Sequence, residues 1–187
     1  VRLISHLLTQ SGLCVGMTNT DGVYVGGRCI DTGDCSGPKS AKSVLLHPDV
    51  DAAVLETARG GVLREGLAFD RCDVAVVTNV GSGDHLGLNY ITTVQDLAVL
   101  KRVIVQNVSP TGVAVLNATD PTVAAMAAKC RGSVTFFAVD KFHPVMATHR
   151  AQGQAVVYVE NGHIVASKGD FQQTMALADI PLTMGGM

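Results

Sequence analysis

No run of this 187-residue chain is long and apolar enough for a membrane-spanning helix. The longest aliphatic stretches, such as 74–77 and 103–105, fall far short of the ~20 residues such a helix needs. A basic excess is missing too: 14 Lys and Arg face 16 Asp and Glu, a formal charge of -2. Non-specific nucleic-acid binding needs many uncompensated cations, so the composition speaks against it. Cys14, Cys29, Cys35, Cys72 and Cys130 are odd in number and contain no C-x-x-C pair. That excludes the usual disulfide or zinc frameworks and predicts reduced thiols in a cytoplasmic protein. Position 1 is Val1, not methionine, and no charged-then-apolar leader pattern follows. His6, His47, His143, His149 and His163 show no metal-ligand spacing, and no serine or cysteine has triad-like surroundings.

What is present is core-forming material. Apolar residues make up 47% of the chain and charged residues 16%, a balance that favours a packed globular fold over disorder. Residues 1–10 place Val1, Ile4, Leu7 and Leu8 on one helical face, with no capping side chain in front. That predicts a chain beginning inside a helix. Residues 13–18 read as a buried strand, and 23–25 with 28–30 as a hairpin around Gly26-Gly27. A polar loop over 31–38 leads to a short helix over 40–46. The runs 52–55, 74–78, 112–116 and 134–139 are apolar without alternation, the pattern of strands covered on both faces in a parallel sheet. Helical periodicity marks 93–108 and 121–129, the latter with proline in its first turn. Residues 155–159 and 163–166 flank Asn161-Gly162, a favoured hairpin turn. The expected architecture is α/β: a mostly parallel, doubly wound sheet with an antiparallel hairpin extension.

In open parallel sheets, ligands bind beyond the carboxyl ends of the strands. Glu56, Asn79 with the loop to His85, and Asn117 with Asp120 stand at three such ends. Each has a plain structural alternative, as a helix cap or a loop hydrogen bond. Glu56 opens the segment Glu56-Thr57-Ala58-Arg59-Gly60-Gly61-Val62-Leu63-Arg64. Its glycines would allow close backbone approach and its arginines could hold an anion, or the segment is a turn with solvated arginines. Asp84-His85 lies in a glycine-rich loop and could complete a hard divalent-cation site. Lys101 stands in the stripe Val94, Leu97, Lys101, Ile104, Val108, where the pattern asks for an aliphatic residue. A buried ammonium must be paired, neutralised or modified, unless its stem is buried and its amine wet. Asp120 either caps the helix that Pro121 opens or joins Asn117 near a nucleoside.

Several segments together resemble the central, ATP-binding domain of the Mur ligase family. They are Thr20-Asp21-Gly22-Val23-Tyr24, Gly33-Asp34 with Ser36-Gly37-Pro38, the stretch VLETARGGVLR over 54–64, DHLGL over 84–88, AVLNATDP over 114–121 and IPLTMGGM over 180–187. Within the family the likeness is strongest to ligases that join arginine to aspartate side chains of a storage polymer. The resemblance implies ATP and Mg²⁺ as cofactors, with arginine and an aspartate-containing polymer as partners. Nucleic acid and membranes are not implied, and a homo-oligomer could form through other regions of a longer protein. It implies that Glu56 and His85 bind Mg²⁺, that Lys101 ligates metal as a carbamate, and that all three serve catalysis. Asn117 and Asp120 would lie beside adenosine. Thr18, Thr20, Asp21, Arg59 and Arg64 would meet the polymer.

The departures are specific. No G-x-x-x-x-G-K-[ST] stretch occurs in the chain, although the family uses one to cradle the β- and γ-phosphates. The helix and C-terminal domain that follow the Gly185-Gly186 position in the family are also lacking. The expectation is therefore a partial central domain over 1–187, with the hairpin extension within about 140–187, inactive by itself. The competing expectations are a poly-glutamate or peptidoglycan ligase of the same family, and a non-catalytic binding or assembly domain. A Rossmann dehydrogenase is set aside, because Leu86 stands where the third glycine of Gly81-x-Gly83-x-x-Gly would fall.

Overall fold

The glycine pair and the valines of residues 15–32 govern the first part of the fold. In the computed structural model, which describes residues 1–81, 86–87 and 90–180, Gly26 and Gly27 have φ of +55° and +79°. Two successive positive φ values make the tight turn whose twist matches a hairpin. The turn joins β2 (Gly22–Val25) to β3 (Arg28–Thr32). β2 pairs antiparallel with β1 (Val15–Asn19), and β1 pairs parallel with β4 (Ala52–Leu55), giving the order β3-β2-β1-β4. Three helices complete this unit, which spans Val1–Asp70: α1 (Arg2–Gln10), α2 (Pro38–Leu45) and α3 (Arg59–Glu65). α2 starts on proline, whose missing N–H costs nothing at the first turn. It buries Val44 against Val23 and Cys35, with Val50 and Leu55 alongside. Gly16 is glycine for steric reasons: a Cβ there would run into Val44 and come within 3.0 Å of Val50.

Residues Arg71–Met187 form a second compact unit around its own sheet. Its strands are β5 (Cys72–Val77), β6 (Val108–Asn117), β7 (Ser133–Phe137), β8 (Val156–Glu160), β9 (His163–Lys168) and β10 (Phe171–Ala176). They lie in the order β10-β9-β8-β7-β6-β5. β5 to β8 are parallel, and β8-β9-β10 is an antiparallel meander. The crossovers run through α4 (Val94–Lys101), α5 (Val103–Gln106), α6 (Pro121–Ala124) and α7 (Pro144–Ala151). Leu97, Val105, Val123, Met126 and Met146 are buried in these connections, as are strand residues such as Ala114, Leu116 and Val156. Parallel strands joined by helices, then a hairpin around Asn161 (φ 48°) and Gly162 (φ 73°), are what the sequence pattern predicts. The extension gains a strand, β10, that the pattern did not announce.

Three other segments differ from expectation for identifiable reasons. Residues 93–108 are not one helix: α4 ends at Lys101, α5 occupies four residues, and Val108 opens β6. The run Val103-Ile104-Val105 is β-branched, which weakens a helix interior. Asn107 then stops it, its Nδ2 donating to Val103 O at 2.8 Å. The expected helix over 121–129 is one turn of α-helix followed by a 3-10 segment, Ala125–Lys129. Residues 59–65 form helix α3 where glycines suggested a turn. Gly61 is the reason they pack so: its Cβ would stand 2.9 Å from both Gly37 Cα and Pro38 Cδ, so α3 lies directly on the start of α2.

Candidate functional site

In the first unit, the carboxyl ends of β1 and β4 lie side by side. Glu56 follows β4, and its N–H donates to Thr18 O at 3.1 Å, one step beyond the last ladder pair, Thr18 with Leu55. Glu56 is partly exposed, and with Thr57 it lines a small cavity beside Ser36, Gly37, Pro38 and Phe69. The backbone of Ala58 ties this edge to the loop before α2 by donating to Ser36 O at 3.1 Å. That loop is braced by Asp34, whose Oδ1 accepts from the Ser36 hydroxyl at 2.5 Å and the Ser36 N–H at 3.2 Å. These two bonds, helped by the Arg64 charge, hold the Asp34 carboxyl below its ordinary value despite a small opposing effect of burial. Arg64 is thus placed near Asp34, at the end of α3.

The residues expected to meet a polymer are scattered in character. Thr18 is fully buried, and its Oγ1 has no partner among the described residues; the same holds for Nδ2 of the buried Asn19. Asn19 Oδ1 accepts from the N–H groups of Asp21 and Gly22 at 2.9 and 3.0 Å, which shapes the turn between β1 and β2. Thr20 is exposed there, and Asp21 pairs with Arg2 on the surface. Arg59 opens α3 and is partly buried. Asn19, Ser36 and Asp34 shape this edge, and composition alone did not single them out; the signal was polar residues flanking a strand end and a helix-opening proline.

In the second unit, the ends of β5, β6 and α4 meet around residues 78–80. Asn117, the last residue of β6, donates through Nδ2 to Thr78 O at 2.9 Å. Its Oδ1 accepts from the Thr119 N–H and hydroxyl at 2.9 and 2.8 Å. Asp120 caps α6, with Oδ1 accepting from Thr122 and Val123 at 2.9 and 3.2 Å. Its Oδ2 accepts from the Val80 N–H at 2.9 Å. Burial pushes the Asp120 carboxyl up, but the bonds from Val80, Val123 and Thr122 and the Lys101 charge outweigh it and hold the group below its ordinary value. Lys101, partly buried at the end of α4, donates to Asn79 O at 3.1 Å and Val80 O at 3.4 Å. The apolar stripe therefore accommodates a lysine by aiming its ammonium at two carbonyls. His85, Asp84 and the terminal PLTMGGM lie outside the described residues.

α4, which carries Lys101, starts with a reciprocal cap. Thr93 Oγ1 accepts from the Asp96 N–H at 3.1 Å, and Asp96 Oδ2 accepts from the Thr93 N–H at 3.0 Å. The Thr93 bonds, opposed slightly by burial and aided by those from Thr92, lower the Asp96 carboxyl. A carboxylate lowered in the folded state contributes stability above its unfolded pKa of about 3.9, and loses it as pH falls through the folded value. Asp96→Asn is therefore expected to lower the urea midpoint of the protein at pH 7. The difference from wild type should shrink as pH falls below about 4 and the carboxylate is protonated. A difference independent of pH would show that the carboxylate charge is irrelevant to the cap.

Among the described residues no three carboxylate, imidazole or thiol groups converge, and no helix is long and apolar enough to cross a membrane. Comparison with known proteins gives a consistent family. The Mur ligase middle domain matches residues 1–178. The cyanophycin synthetase of Synechocystis sp. is 49% identical over 188 residues, covering 100% of this chain and 21% of that protein. That of Crocosphaera subtropica is 48% identical with the same coverage. The chain thus spans about a fifth of the length of these curated relatives. Among solved structures, a UDP-N-acetylmuramoyl-L-alanyl-D-glutamate–2,6-diaminopimelate ligase superposes with a TM-score of 0.65. It is 16% identical, with 93% of this chain and 35% of that one covered, a likeness of fold.

Proposed function

The chain belongs to the Mur ligase family, as a middle domain, and from that premise we propose that it is part of an ATP-dependent amide ligase of the cyanophycin synthetase type. The observation that carries this reading is the identity of 49% running the whole length of the chain, together with the placement of Glu56 at a strand end beside a cavity. In the proposed reaction a side-chain carboxylate of an aspartate polymer attacks the γ-phosphorus of ATP, giving an acyl phosphate and ADP. The α-amine of arginine then attacks the acyl carbon, loses a proton, and expels inorganic phosphate as the amide forms.

The chain's own residues fit part of this task. Mg²⁺ is bound by one or two carboxylates together with phosphate and water oxygens rather than by a full protein cage. A single accessible carboxylate such as Glu56 suits that mode for the ion bound with ATP, and in our assignment His85 would serve a second Mg²⁺. Lys101 would ligate a metal only in carbamylated form, since an ammonium repels a cation. The ion would supply charge neutralisation for the transferring phosphoryl group. Arg59 and Arg64 on α3 are assigned to the acidic acceptor, where a guanidinium can hold a carboxylate by two parallel bonds. No G-x-x-x-x-G-K-[ST] loop occurs in residues 1–187, so in this reading the phosphate cradle is contributed from outside them.

The test is ADP release by the intact protein given Mg-ATP, a poly-aspartate primer and arginine. The expected result is release that depends on arginine, with arginine incorporated into the polymer. Preference for a glutamate or muramyl-peptide acceptor would move the assignment to another branch of the family. No acceptor-dependent release would leave a binding or assembly role.

A further inference from the structure

A side chain that braces a turn needs an acceptor oxygen rather than a charge, and asparagine serves as well as aspartate. Asp34 carries the charge nonetheless. Its Oδ1 accepts both bonds from Ser36, at 2.5 and 3.2 Å, and among the described residues its Oδ2 accepts none. Ser36 is buried and Asp34 exposed, so the carboxylate is pinned through one oxygen and open at the other. Arg64, near the end of α3, lies close enough for its charge to favour the ionised carboxyl. Among the described residues the two nevertheless make no ion pair. The Arg64 guanidinium lies back over Gly60 instead, where a Cβ would stand 3.3 Å from Nη1. A glycine at 60 leaves that guanidinium its room. Both charges flank the cavity beside Glu56, which Ser36 lines on the Asp34 side and Val62 on α3. An anion and a cation held near each other but unpaired suit a ligand that carries both signs.

We propose that Asp34 and Arg64 are specificity-determining residues that hold a polymer unit already carrying arginine, Asp34 taking its guanidinium and Arg64 its carboxylate. The inference rests on the ligase reading for the identity of the polymer. Joining arginine through its α-amine leaves its guanidinium and its own carboxylate free, so each finished unit is a zwitterion. An unmodified aspartate unit carries only the negative charge and engages Arg64 alone. The pair therefore favours an acceptor with a finished unit next to the free aspartate. Holding that finished unit at the rim presents the free side chain on the Glu56 side of the cavity. Asp34 is thus the residue that tells a growing polymer from bare poly-aspartate.

Steady-state kinetics of the intact protein with two primers tests this: bare poly-aspartate, and the same chain with part of its units arginylated. Asp34→Asn keeps the acceptor oxygen for Ser36 and removes the charge. It is expected to raise the ratio of KM for the arginylated primer to KM for poly-aspartate about fivefold, the upper scale of an exposed charge pair. That change should shrink at about 0.5 M salt, where exposed charges are screened. Arg64→Gln is expected to raise KM for both primers, because both present carboxylates. A carboxylate that only braces the loop would move both primers alike and without regard to salt. An unchanged KM ratio in Asp34→Asn would overturn the assignment, as would Arg64→Gln with both KM values intact. Should neither primer give arginine-dependent ADP release, the ligase reading fails, and fluorescence anisotropy of the labelled arginylated polymer on the intact protein still decides the pair. Weaker binding of that polymer to Asp34→Asn, relative to poly-aspartate, would uphold it, and an unchanged ratio of affinities would overturn it.

Discussion

Glu56→Gln in the intact protein is expected to reduce arginine-dependent ADP release about 100-fold or more, the usual scale for losing one group that stabilises transferring charge. The substitution keeps the volume of the side chain and one acceptor oxygen but removes its charge and replaces the other oxygen with an N–H₂ donor. Glu56 is partly exposed and its backbone N–H, not its carboxylate, holds the β1–β4 edge through Thr18 O. Stability should therefore change little, by less than about 0.5 kcal/mol, as for substitutions away from packed features. Loss of kcat with an intact unfolding midpoint, and a Mg²⁺ requirement moved to higher concentration, would fit a metal-binding carboxylate. Turnover within a few-fold of wild type would remove Glu56 from the chemistry and leave it as the terminus of a strand.

Gly132→Ala is expected to have the opposite profile. Gly132 precedes β7, where a Cβ would stand 2.6 Å from Ser109 O and closer still to Gly112 O. Gly112 is itself confined, since its own Cβ would stand 2.5 Å from Asp73 O. Backbone from the β5, β6 and β7 region is therefore stacked at the ends of the strands away from Asn117. None of the blocking atoms belongs to a flexible side chain, so the added methyl can be accommodated only by moving strands. Overpacking of this kind costs about 1–3 kcal/mol and more where backbone must shift. The urea midpoint should fall accordingly, while kcat per folded molecule stays the same. A variant as stable as wild type would show that this end of the sheet can relax.

The two substitutions also mark what could be read in the residues and what could not. The strand over 52–55, the Gly26-Gly27 and Asn161-Gly162 hairpins and the proline-led start of α6 were legible because each depends on local chemistry, whereas α2 begins at Pro38, two residues before the expected start. Strand propensity, turn conformation and capping act over a few residues and leave marks at fixed spacing. Helix α3 was hidden behind Gly60-Gly61, because a glycine required by packing on Gly37 and Pro38 looks the same in sequence as one required by a turn. β10 was hidden because FQQTMA lacks a strong alternation and is placed by pairing with β9. The break at Arg102 was hidden because Leu97 and Ile104 keep helical spacing through it, while the buried residue proves to be Val105.

For the functional residues the division is sharper. The sequence by itself determined the α/β class, the family, and the presence of Glu56, Asn117 and Asp120 at strand ends, since those follow from pattern and order along the chain. It also exposed Lys101 as an anomaly in an apolar stripe. Only the tertiary structure decided where the lysine's protons go, because Asn79 and Val80 lie more than twenty positions earlier in the chain. The same holds for Asp120, whose one oxygen makes a local cap and whose other reaches the Val80 N–H forty residues away. Hydrogen-bond partners at that separation are selected by which strand ends the sheet brings together, and no spacing rule along the sequence records that choice.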